Sequence, residues 1–338
     1  MTENIASQTN SPIDVVITWV DGNDPVLAGK RRQYIGNASN MENHPGAITT
    51  RFTSNNEIKY CILSIFKFAP FIRNVYIVTD GQQPDIFDDI KTYFPERLSS
   101  IRIVDHKEIF SGFEQYLPTF NSTSIESLIW RINGLSENFV YFNDDIFLIR
   151  DVKPEEWVKN GKPTLIGKWK VFPFNKLFNQ QFRLLINRKV LGKKNYHPKL
   201  SFYLRQWQAA KILGYSFNYF FHCHTPHALN RNTLERFYAE NAHILEKNLK
   251  YRFRDEKQFI SISLANHLEI KNGNKQYAEL NHGYFHPYYT AKRIAKKITR
   301  CDSNTAIKSI CVQSYDMLKP EVQNKIMGWL GNILQIKE

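Results

Sequence analysis

Cysteine is scarce in this chain, and long hydrophobic runs are absent. Among 338 residues there are four cysteines without paired spacing, so we expect reduced thiols rather than a disulfide framework. No stretch reaches the roughly 18 uninterrupted apolar residues of a membrane-spanning helix. The polar residues 1–12 also lack the charged and then apolar order of a signal peptide. These absences predict a cytoplasmic globular protein with a disordered polar tail over 1–12.

Two nucleotide-binding signatures are missing as well. The chain has no Gly-x-Gly-x-x-Gly and no Gly-x4-Gly-Lys-Ser/Thr, which argues against dinucleotide-binding and P-loop folds. A phosphate would then be held by a metal ion and by cationic side chains. The formal charge of +13 predicts an anionic partner. Because no helix-turn-helix, zinc-finger or RNP-like pattern is present, we expect no nucleic acid; a protein that binds duplex DNA through its charge alone is the rival from another class.

The most informative stretch is the apolar run Phe139–Phe142, which ends at Asn143, Asp144 and Asp145. Four large apolar residues in a row, rich in aromatic and β-branched types, predict a strand that is buried on both faces. Ligands of open α/β sheets bind at the carboxyl ends of strands, so two acids at that point favour a Mg²⁺ or Mn²⁺ site. The competing interpretation is that both acids cap or pair with the segment that follows.

Three other apolar runs also end in polar turns. Residues 13–20 stop at Asp-Gly-Asn-Asp-Pro, 74–80 run into Asp-Gly-Gln, and 101–104 end at Asp-His. Apolar residues at helical spacing follow the capping-box patterns at 54–57 and 123–126. Alternating strands and helices predict an α/β fold with a mostly parallel sheet flanked by helices.

Later in the chain the pattern weakens. We predict a helix over 255–264 with two acids in its first turn, and an amphipathic closing helix over 320–334. A helix over 291–300 would place Ile294 and Ile298 beneath a cationic surface. That surface suits an anionic bilayer or polymer, and a plain solvated helix face is the competing interpretation.

Three histidines and one arginine are further candidates for chemistry. His222, His224 and His227 fall within six residues and could bind zinc, although no His-Glu-x-x-His order is present. They could instead supply a proton acceptor or a phosphate donor with Arg231 close by, or hydrogen bonds within a loop. Arg252 could hold phosphate oxygens through two parallel hydrogen bonds, or belong to a surface charge cluster.

Several of these segments resemble the Stealth family, which includes bacterial capsular polysaccharide phosphotransferases and the catalytic subunit of the lysosomal-enzyme N-acetylglucosamine-1-phosphotransferase. Residues 13–25 resemble its first conserved region. The third is resembled by 224–227 and by Arg252 with Asp255-Glu256. In the fourth, the family's Cys-Ile-Asn-Asp is replaced by Cys311-Val-Gln-Ser314. The second region is matched at Arg51-Phe52, Asn56-Glu57, Ser64-Ile65, Phe68-Ala69-Pro70, Arg73-Asn74, Ile77-Val78-Thr79-Asp80-Gly81-Gln82, Leu117-Pro118-Thr119-Phe120, Ile125-Glu126 and Asn143-Asp144-Asp145.

The resemblance implies a glycosyltransferase A-like domain that binds a nucleotide sugar and a divalent metal. The implied reaction moves a hexose-1-phosphate or N-acetylhexosamine-1-phosphate, UDP-GlcNAc being the family's commonest donor theme, to a hydroxyl of a capsular or other cell-surface polysaccharide. Nucleoside monophosphate is then released. A metal-dependent glycosyltransferase of the same fold, which releases the diphosphate, is the alternative. We divide the chain into a tail (1–12), a nucleotide-sugar and metal-binding core (13–150), an aromatic and basic acceptor-side insertion (151–219) and a helical part that completes the site (220–338).

This resemblance and the residue patterns together give the expected site. Asp144 and Asp145 are the metal ligands, His227 is the general base, Arg252 steadies the phosphoryl oxygens, and Asp21 belongs to the same catalytic group. The expected substrate-binding residues are Trp19, Gly22, Asp24, Arg51, Asn56, Asp80, Gln82, Asn143, His224, Arg231 and Glu256. Oligomerisation, and peripheral contact with the inner membrane or with capsule assembly machinery, are left open.

Overall fold

The computed structural model describes residues 11–35, 55–193, 196 and 198–336. Its strands are β1 (Ile13–Thr18), β2 (Val75–Thr79), β3 (Ile101–Asp105), β4 (Asn138–Asn143), β5 (Ile146–Leu148), β6 (Val158–Lys159), β7 (Lys162–Pro163), β8 (Leu165–Ile166), β9 (Lys168–Val171), β10 (Asn218–Phe221), β11 (His227–Asn230), β12 (Tyr277–Ala278), β13 (His282–Phe285) and β14 (Ser309–Val312). Its helices are α1 (Pro25–Ile35), α2 (Glu57–Phe68), α3 (Phe87–Tyr93), α4 (His106–Ile109), α5 (Ser122–Glu126), α6 (Pro154–Trp157), α7 (Phe174–Leu184), α8 (Phe202–Ile212), α9 (Arg231–Glu240), α10 (Ala242–Leu249), α11 (Ser261–Lys271), α12 (Ala291–Ser303) and α13 (Pro320–Leu334).

The central sheet has the strand order β11-β4-β1-β2-β3. The pairs β1·β4, β1·β2 and β2·β3 are parallel, and β11 pairs with β4 in the antiparallel direction. Consecutive residues of β1 are buried because helices cover both faces of the sheet, as long apolar runs without alternation require. The predicted α/β fold with a mostly parallel sheet flanked by helices is therefore confirmed.

Two hydrophobic clusters lie on opposite faces of this sheet. Val15 and Ile17 belong to the cluster that includes residues of α2 and α13, whereas Val16 belongs to the cluster that includes α10 and α11. This division follows the two-residue period of a strand. A smaller sheet, β13-β14-β5, brings a late segment of the chain next to the acids that follow β4.

The closing helix is confirmed, since α13 begins at Pro320 and buries Val322, Ile326 and Leu330. The helix predicted over 291–300 also forms, as α12. Its Ile294 is fully buried in the core and Ile298 packs against the same cluster. The apolar side of α12 is thus already covered by protein. No helix in the described ranges is long and apolar enough to cross a membrane.

Three predicted local structures are wrong. The apolar residues at helical spacing from Thr123 to Leu135 predict one helix, but they form only the short α5, capped by Asn121, and a separate 3-10 turn, because Ser and Asn side chains compete for backbone groups there. The acids Asp255 and Glu256 lie in a turn before α11, which begins at Ser261. The polar residues 28–50 predict a loop, but α1 extends to Ile35; residues 36–50 lie outside the described residues.

Candidate active site

The carboxyl ends of β4, β1, β2 and β3 meet at one edge of the sheet and open into a cavity of about 300 Å³. Four neighbouring strands at about 4.8 Å spacing span roughly 14 Å, which is long enough for an extended ligand. The structure brings six predicted site residues to this cavity, namely Trp19, Asp80, Asn143, Asp144, Asp145 and His224. Residues that were not predicted also line it, among them Glu57, which belongs to the resemblance motif.

The acid pair lies at the β4 end of the cavity. Burial raises the pKa of Asp144 well above its usual value, and the charges of Asp145 and Glu57 raise it further. Burial also raises the pKa of Asp145 to about 6, although its Oδ2 accepts a hydrogen bond from Cys311 Sγ at 3.5 Å. Asp145 Oδ1 is buried without a hydrogen-bond partner among the described residues. Buried oxygens of this kind are normally satisfied, so Asp145 Oδ1 is chemically able to accept a cationic ligand.

Glu57 is a third carboxylate at this end, and the sequence argument did not assign it a chemical role. Asn56 adopts a left-handed conformation (φ 62°) at the start of α2, and Glu57 is the first residue of the helix. The Oε2 of Glu57 accepts a hydrogen bond from the backbone amide of Asn55 at 2.6 Å, and burial raises the pKa of Glu57. The Asn56 side chain instead donates to Asp85 O at 3.2 Å. Glu57 could have been identified from its place in the capping-box pattern at 54–57. The start of that helix lies at the same cavity as Asp144 and Asp145.

Arg254, not Arg252, is the arginine that lines the cavity. Arg254 Nη2 donates to Ser122 Oγ. Arg252 turns away: its Nη1 donates to Pro118 O at 2.7 Å, and its guanidinium lies 4.4 Å from the ring centroid of Tyr34. The chain bends at residues 252 and 253, which explains why only one of the two arginines reaches the cavity. The phosphate-steadying role of Arg252 stays a prediction.

The β2 and β3 strand ends present a different set of side chains. Asp80 pairs with Lys30 Nζ at 2.9 Å. His106 is buried, and neither ring nitrogen has a hydrogen-bond partner within the described part of the chain. Thr119 Oγ1 is likewise buried and unpaired there. Trp19 and Phe120 add apolar surface, so this end suits a flat ligand with a polar edge.

The predicted residues in the turn after β1 support the cavity through hydrogen bonds and do not line it. The side-chain amide of Gln82 accepts from Asp21 N at 3.0 Å and donates to Asp21 O at 2.8 Å, which ties the β1 and β2 turns together. Asp21 Oδ1 accepts from Asn23 N, next to Gly22, and Asp24 Oδ1 caps α1 through Leu27 N at 2.7 Å. Asp21, Gly22, Asp24 and Gln82 do not line the cavity themselves.

The histidines surround a second, smaller cavity of about 90 Å³ that shares His224 and Arg254 with the first. His224 is stacked on Phe202, with ring centroids 4.8 Å apart. Burial lowers the pKa of His224 to about 4 and that of His227 to about 3. His227 Nε2 lies 3.0 Å from Cys223 O, so it carries the proton and Nδ1 is left as the acceptor. In the described ranges, no three His, Cys, Asp or Glu side chains are grouped so that they could hold a metal ion.

Two other predicted residues lie elsewhere, and a third lies outside the described residues. Arg231 follows β11, which runs antiparallel to β4, so it lies at the opposite end of the sheet and donates to Leu135 O. Glu256 is buried behind the cavity, 4.0 Å from Arg188 Nη2. Arg51 lies outside the described residues. The roles assigned to these site residues stay predictions. The antiparallel direction of β11 separates Arg231 from the histidines.

The segment that departs from the family pattern does reach the cavity. Strand β14 pairs with β5, and the residues after it, Gln313–Asp316, form part of the cavity wall. Ser314 adopts a left-handed conformation (φ 48°), and Gln313 bonds to Tyr284. This wall was not assigned from the sequence because the segment carries no strong periodicity.

Comparison with protein families gives two matches along this chain. The sequence model described as Stealth protein CR1, conserved region 1, matches residues 11–39. The model described as Stealth protein CR2, conserved region 2, matches residues 51–165. These ranges include β1 to β7 and therefore all four strand ends that open into the cavity.

Several curated relatives are similar to a part of this chain. The exopolysaccharide phosphotransferase SCO6021 of Streptomyces coelicolor is 45% identical over 154 residues, which cover 46% of this chain and 26% of the relative. The capsular polysaccharide phosphotransferase cps1A of Actinobacillus pleuropneumoniae is 39% identical over 160 residues, 47% of this chain and 41% of the relative. The exopolysaccharide phosphotransferase SCO2594 of Streptomyces coelicolor is 34% identical over 257 residues, 76% of this chain and 38% of the relative. The chain thus spans less than half the length of these relatives.

Solved structures with a similar arrangement include the galactosyltransferase LgtC in complex with donor and acceptor sugar analogs. It is 11% identical, has a TM-score of 0.43, and the alignment covers 96% of this chain and 98% of that one. Mouse xyloside xylosyltransferase 1 is also 11% identical, with a TM-score of 0.39 and coverage of 89% and 98%. Likeness at this level supports no conclusion about the reaction.

Proposed function

Since the chain belongs to the Stealth family, we propose that it transfers a sugar-1-phosphate from a nucleotide sugar to a hydroxyl of a polysaccharide. The observation that carries this proposal is the acid pair Asp144 and Asp145, which shares one cavity with Arg254 and with His106, whose ring nitrogens have no hydrogen-bond partner among the described residues. The acids and Arg254 at one end of the cavity suit the diphosphate of a nucleotide sugar. The apolar wall with a polar edge at the other end suits its base.

The donor would lie along the edge of the sheet. Its base would rest near Trp19 and Phe120, where His106 and Thr119 can hydrogen-bond a base edge, and its diphosphate would face the β4 end. A uridine carrier and an N-acetylhexosamine are the specific donor that we propose. The acceptor would enter from the side of the smaller cavity, where His224 and His227 lie.

A divalent metal fits the residues at the β4 end. Mg²⁺ is commonly held by one or two carboxylates together with substrate phosphates. This agrees with two adjacent acids and with the Oδ1 of Asp145, which has no hydrogen-bond partner in the described part of the chain. Asp144 and Asp145 would hold Mg²⁺ or Mn²⁺, with Glu57 as the neighbouring acid. When bound, the ion would supply neutralisation of the diphosphate charge.

The chain's own residues would carry the transfer. The acceptor hydroxyl attacks the phosphorus atom that bears the sugar, its proton passes to His227 Nδ1, and the bond from that phosphorus to the bridging oxygen breaks. Nucleoside monophosphate leaves with the bridging oxygen. The C1–O bond of the sugar is never broken, so its anomeric configuration is retained. Arg254 lies on the wall shared by both cavities and is placed to stabilise the equatorial oxygens.

The released nucleotide tests this proposal. The protein is incubated with a panel of nucleotide sugars, Mg²⁺ and saccharide acceptors, and the products are identified by mass. We expect nucleoside monophosphate and a phosphodiester-linked product from the wild type, and neither from Asp144→Asn. Release of nucleoside diphosphate would instead identify a glycosyltransferase and overturn the proposed reaction.

A further inference from the structure

The outer face of α7 is apolar and exposed. Phe174, Phe178 and Phe182 follow one another at four-residue spacing and are 63%, 59% and 53% exposed. Their rings stack in a row, with centroids 6.3 Å and 6.2 Å apart. Leu185, on the same helical face, is 49% exposed, and α7 has no fully buried residue. We call Phe174, Phe178, Phe182 and Leu185 the α7 aromatic face; at 1.5 Å per residue it is roughly 16 Å long.

Neighbouring exposed residues extend this apolar surface. Val190 is the last residue of the π-helix Leu185–Val190 that follows α7, and Leu191 caps it; they are 67% and 56% exposed. Before α7, Phe172 N donates to Phe217 O at 2.8 Å, and Phe217 is 86% exposed. Apolar patches of this extent are unusual on soluble proteins and mark surfaces that contact another molecule or a membrane.

The charge of the surrounding chain indicates which contact this is. Residues 157–234 contain fourteen Lys and Arg residues and no Asp or Glu, an excess that is larger than the formal charge of +13 for the whole chain. Lys176 and Arg183 lie on the polar side of α7, and Lys189 and Lys193 are exposed just after it. A second copy of the same surface would bring cations against cations, so a symmetric dimer is disfavoured. An anionic surface satisfies both features.

We propose that the α7 aromatic face inserts into the interfacial layer of an anionic lipid bilayer, with the flanking cations on the headgroups. A helix with aromatic and leucine side chains on one side and Lys or Arg on the other is typical of segments that lie in the plane of a membrane surface. This surface is separate from α12, whose apolar residues are covered by the core. The proposal goes beyond the transfer reaction and does not depend on it.

This surface also lies close to the acceptor side of the candidate active site. Arg188, one turn after α7, is 4.0 Å from Glu256, and Glu256 is two residues from Arg254. Lys176 lies over the ring of Tyr203 at 5.9 Å, next to Phe202 in the smaller cavity. A bilayer at α7 would therefore bring the acceptor entrance near the membrane surface.

Vesicle flotation of the full chain tests the proposal. We expect the wild type to float with vesicles of 70% phosphatidylcholine and 30% phosphatidylglycerol, and much less with phosphatidylcholine alone. The double variant Phe178→Ser/Phe182→Ser should bind the anionic vesicles at least about tenfold more weakly. Val26→Ser/Leu98→Ser, which changes two apolar residues exposed elsewhere, should bind like the wild type. Circular dichroism melting checks that all variants are folded.

Two further variants separate insertion from other causes. Arg183→Glu/Lys189→Glu keeps the aromatic face and should weaken binding by roughly tenfold or more, because each cation near an anionic bilayer contributes several-fold. Phe178→Trp should gain emission that brominated lipids quench, relative to the wild type, while Val26→Trp should not. Failure of the wild type to float, equal binding by the Phe178/Phe182 variant, or a wild-type dimer that this variant converts to monomer would each overturn the proposal.

Discussion

At the residue scale, Arg252 and Arg254 have different surroundings, so we expect different roles for them. Arg254→Ala should lower kcat by about a hundredfold or more, because it removes a cation from the wall that both cavities share. Arg252→Ala should lower the melting temperature, because three backbone carbonyls of 115–118 lose their donor. Nucleotide release and thermal melting on both variants check this. Full activity in a folded Arg254→Ala protein would contradict the assignment.

The acid pair leads to a prediction of opposite effects on stability and activity. The raised pKa of Asp144 means that its charge is unfavourable in the protein without metal. Asp144→Asn should therefore stabilise the metal-free protein by about 1 kcal/mol while abolishing turnover. Urea unfolding in the presence of a chelator measures the first effect. Asp24→Asn is the stability control, because Asn caps a helix as well as Asp; equal stability of Asp144→Asn and wild type would contradict the prediction.

The sequence could predict the acids but not the arginine, and the reason is physical. Asp144 and Asp145 follow an unbroken apolar strand, so the sheet itself fixes where they lie. Arg252 and Arg254 sit in an irregular segment, where neither helical nor strand periodicity shows which side chain faces the cavity. His106 and Thr119 were missed for the same reason: nothing local shows that a buried polar atom will lack a partner.

At the scale of elements, strands β1 to β4 and the helices α2, α12 and α13 were predicted, whereas α1, α7, α8 and the two-residue strands were not. Strands β1, β2 and β4 have apolar centres, and α13 keeps one apolar face over 15 residues, so burial is the main determinant of these elements. The segment 151–219 contains two-residue strands held by pairing with distant residues, as β8 is held by β12. Such pairing leaves no periodic signal in the sequence.

One glycine tests the packing of the element that forms the cavity wall. A Cβ at Gly283 in β13 would lie 2.7 Å from Ile310 Cγ2 and 2.8 Å from Cys301 Sγ. Gly283→Ala should therefore cost about 1–3 kcal/mol in free energy of unfolding and disturb β14, which leads into Gln313. Gly328→Ala, in α13 with no atom within 4 Å, should be neutral or stabilising by up to about 1 kcal/mol. Chemical denaturation of both variants measures these effects. A larger loss of stability in Gly328→Ala than in Gly283→Ala would contradict the prediction.

At the scale of the whole molecule, buried neutral histidines should make the protein sensitive to acid. Burial lowers the pKa of His267 to about 4 from 6.5, so on acidification the unfolded chain takes up its proton first. The stabilising contribution is complete above about pH 6.5 and is lost as the pH falls towards 4. His106, His224 and His227 are shifted in the same direction. The free energy of unfolding should therefore fall steeply between pH 6.5 and 4.

Replacing one of these rings isolates its share. In urea titrations across this pH range, His267→Gln should reduce the slope of stability against pH by up to about 1.4 kcal/mol per pH unit. The exposed His243→Gln should leave the slope unchanged. A slope in His267→Gln that equals the wild-type slope would show that the buried ring is already protonated in the folded state.

The wall formed by residues 313–316 lies at the far end of the chain from the strand that carries the acids. During translation, Asp145 is synthesised long before Ser314. Strand β11, which pairs with β4 at the edge of the sheet, is also synthesised well after β4. For much of its synthesis the emerging polypeptide therefore holds these carboxylates in an unfinished, open cleft. The wall of the cavity is complete only after residues 313–316 have been synthesised.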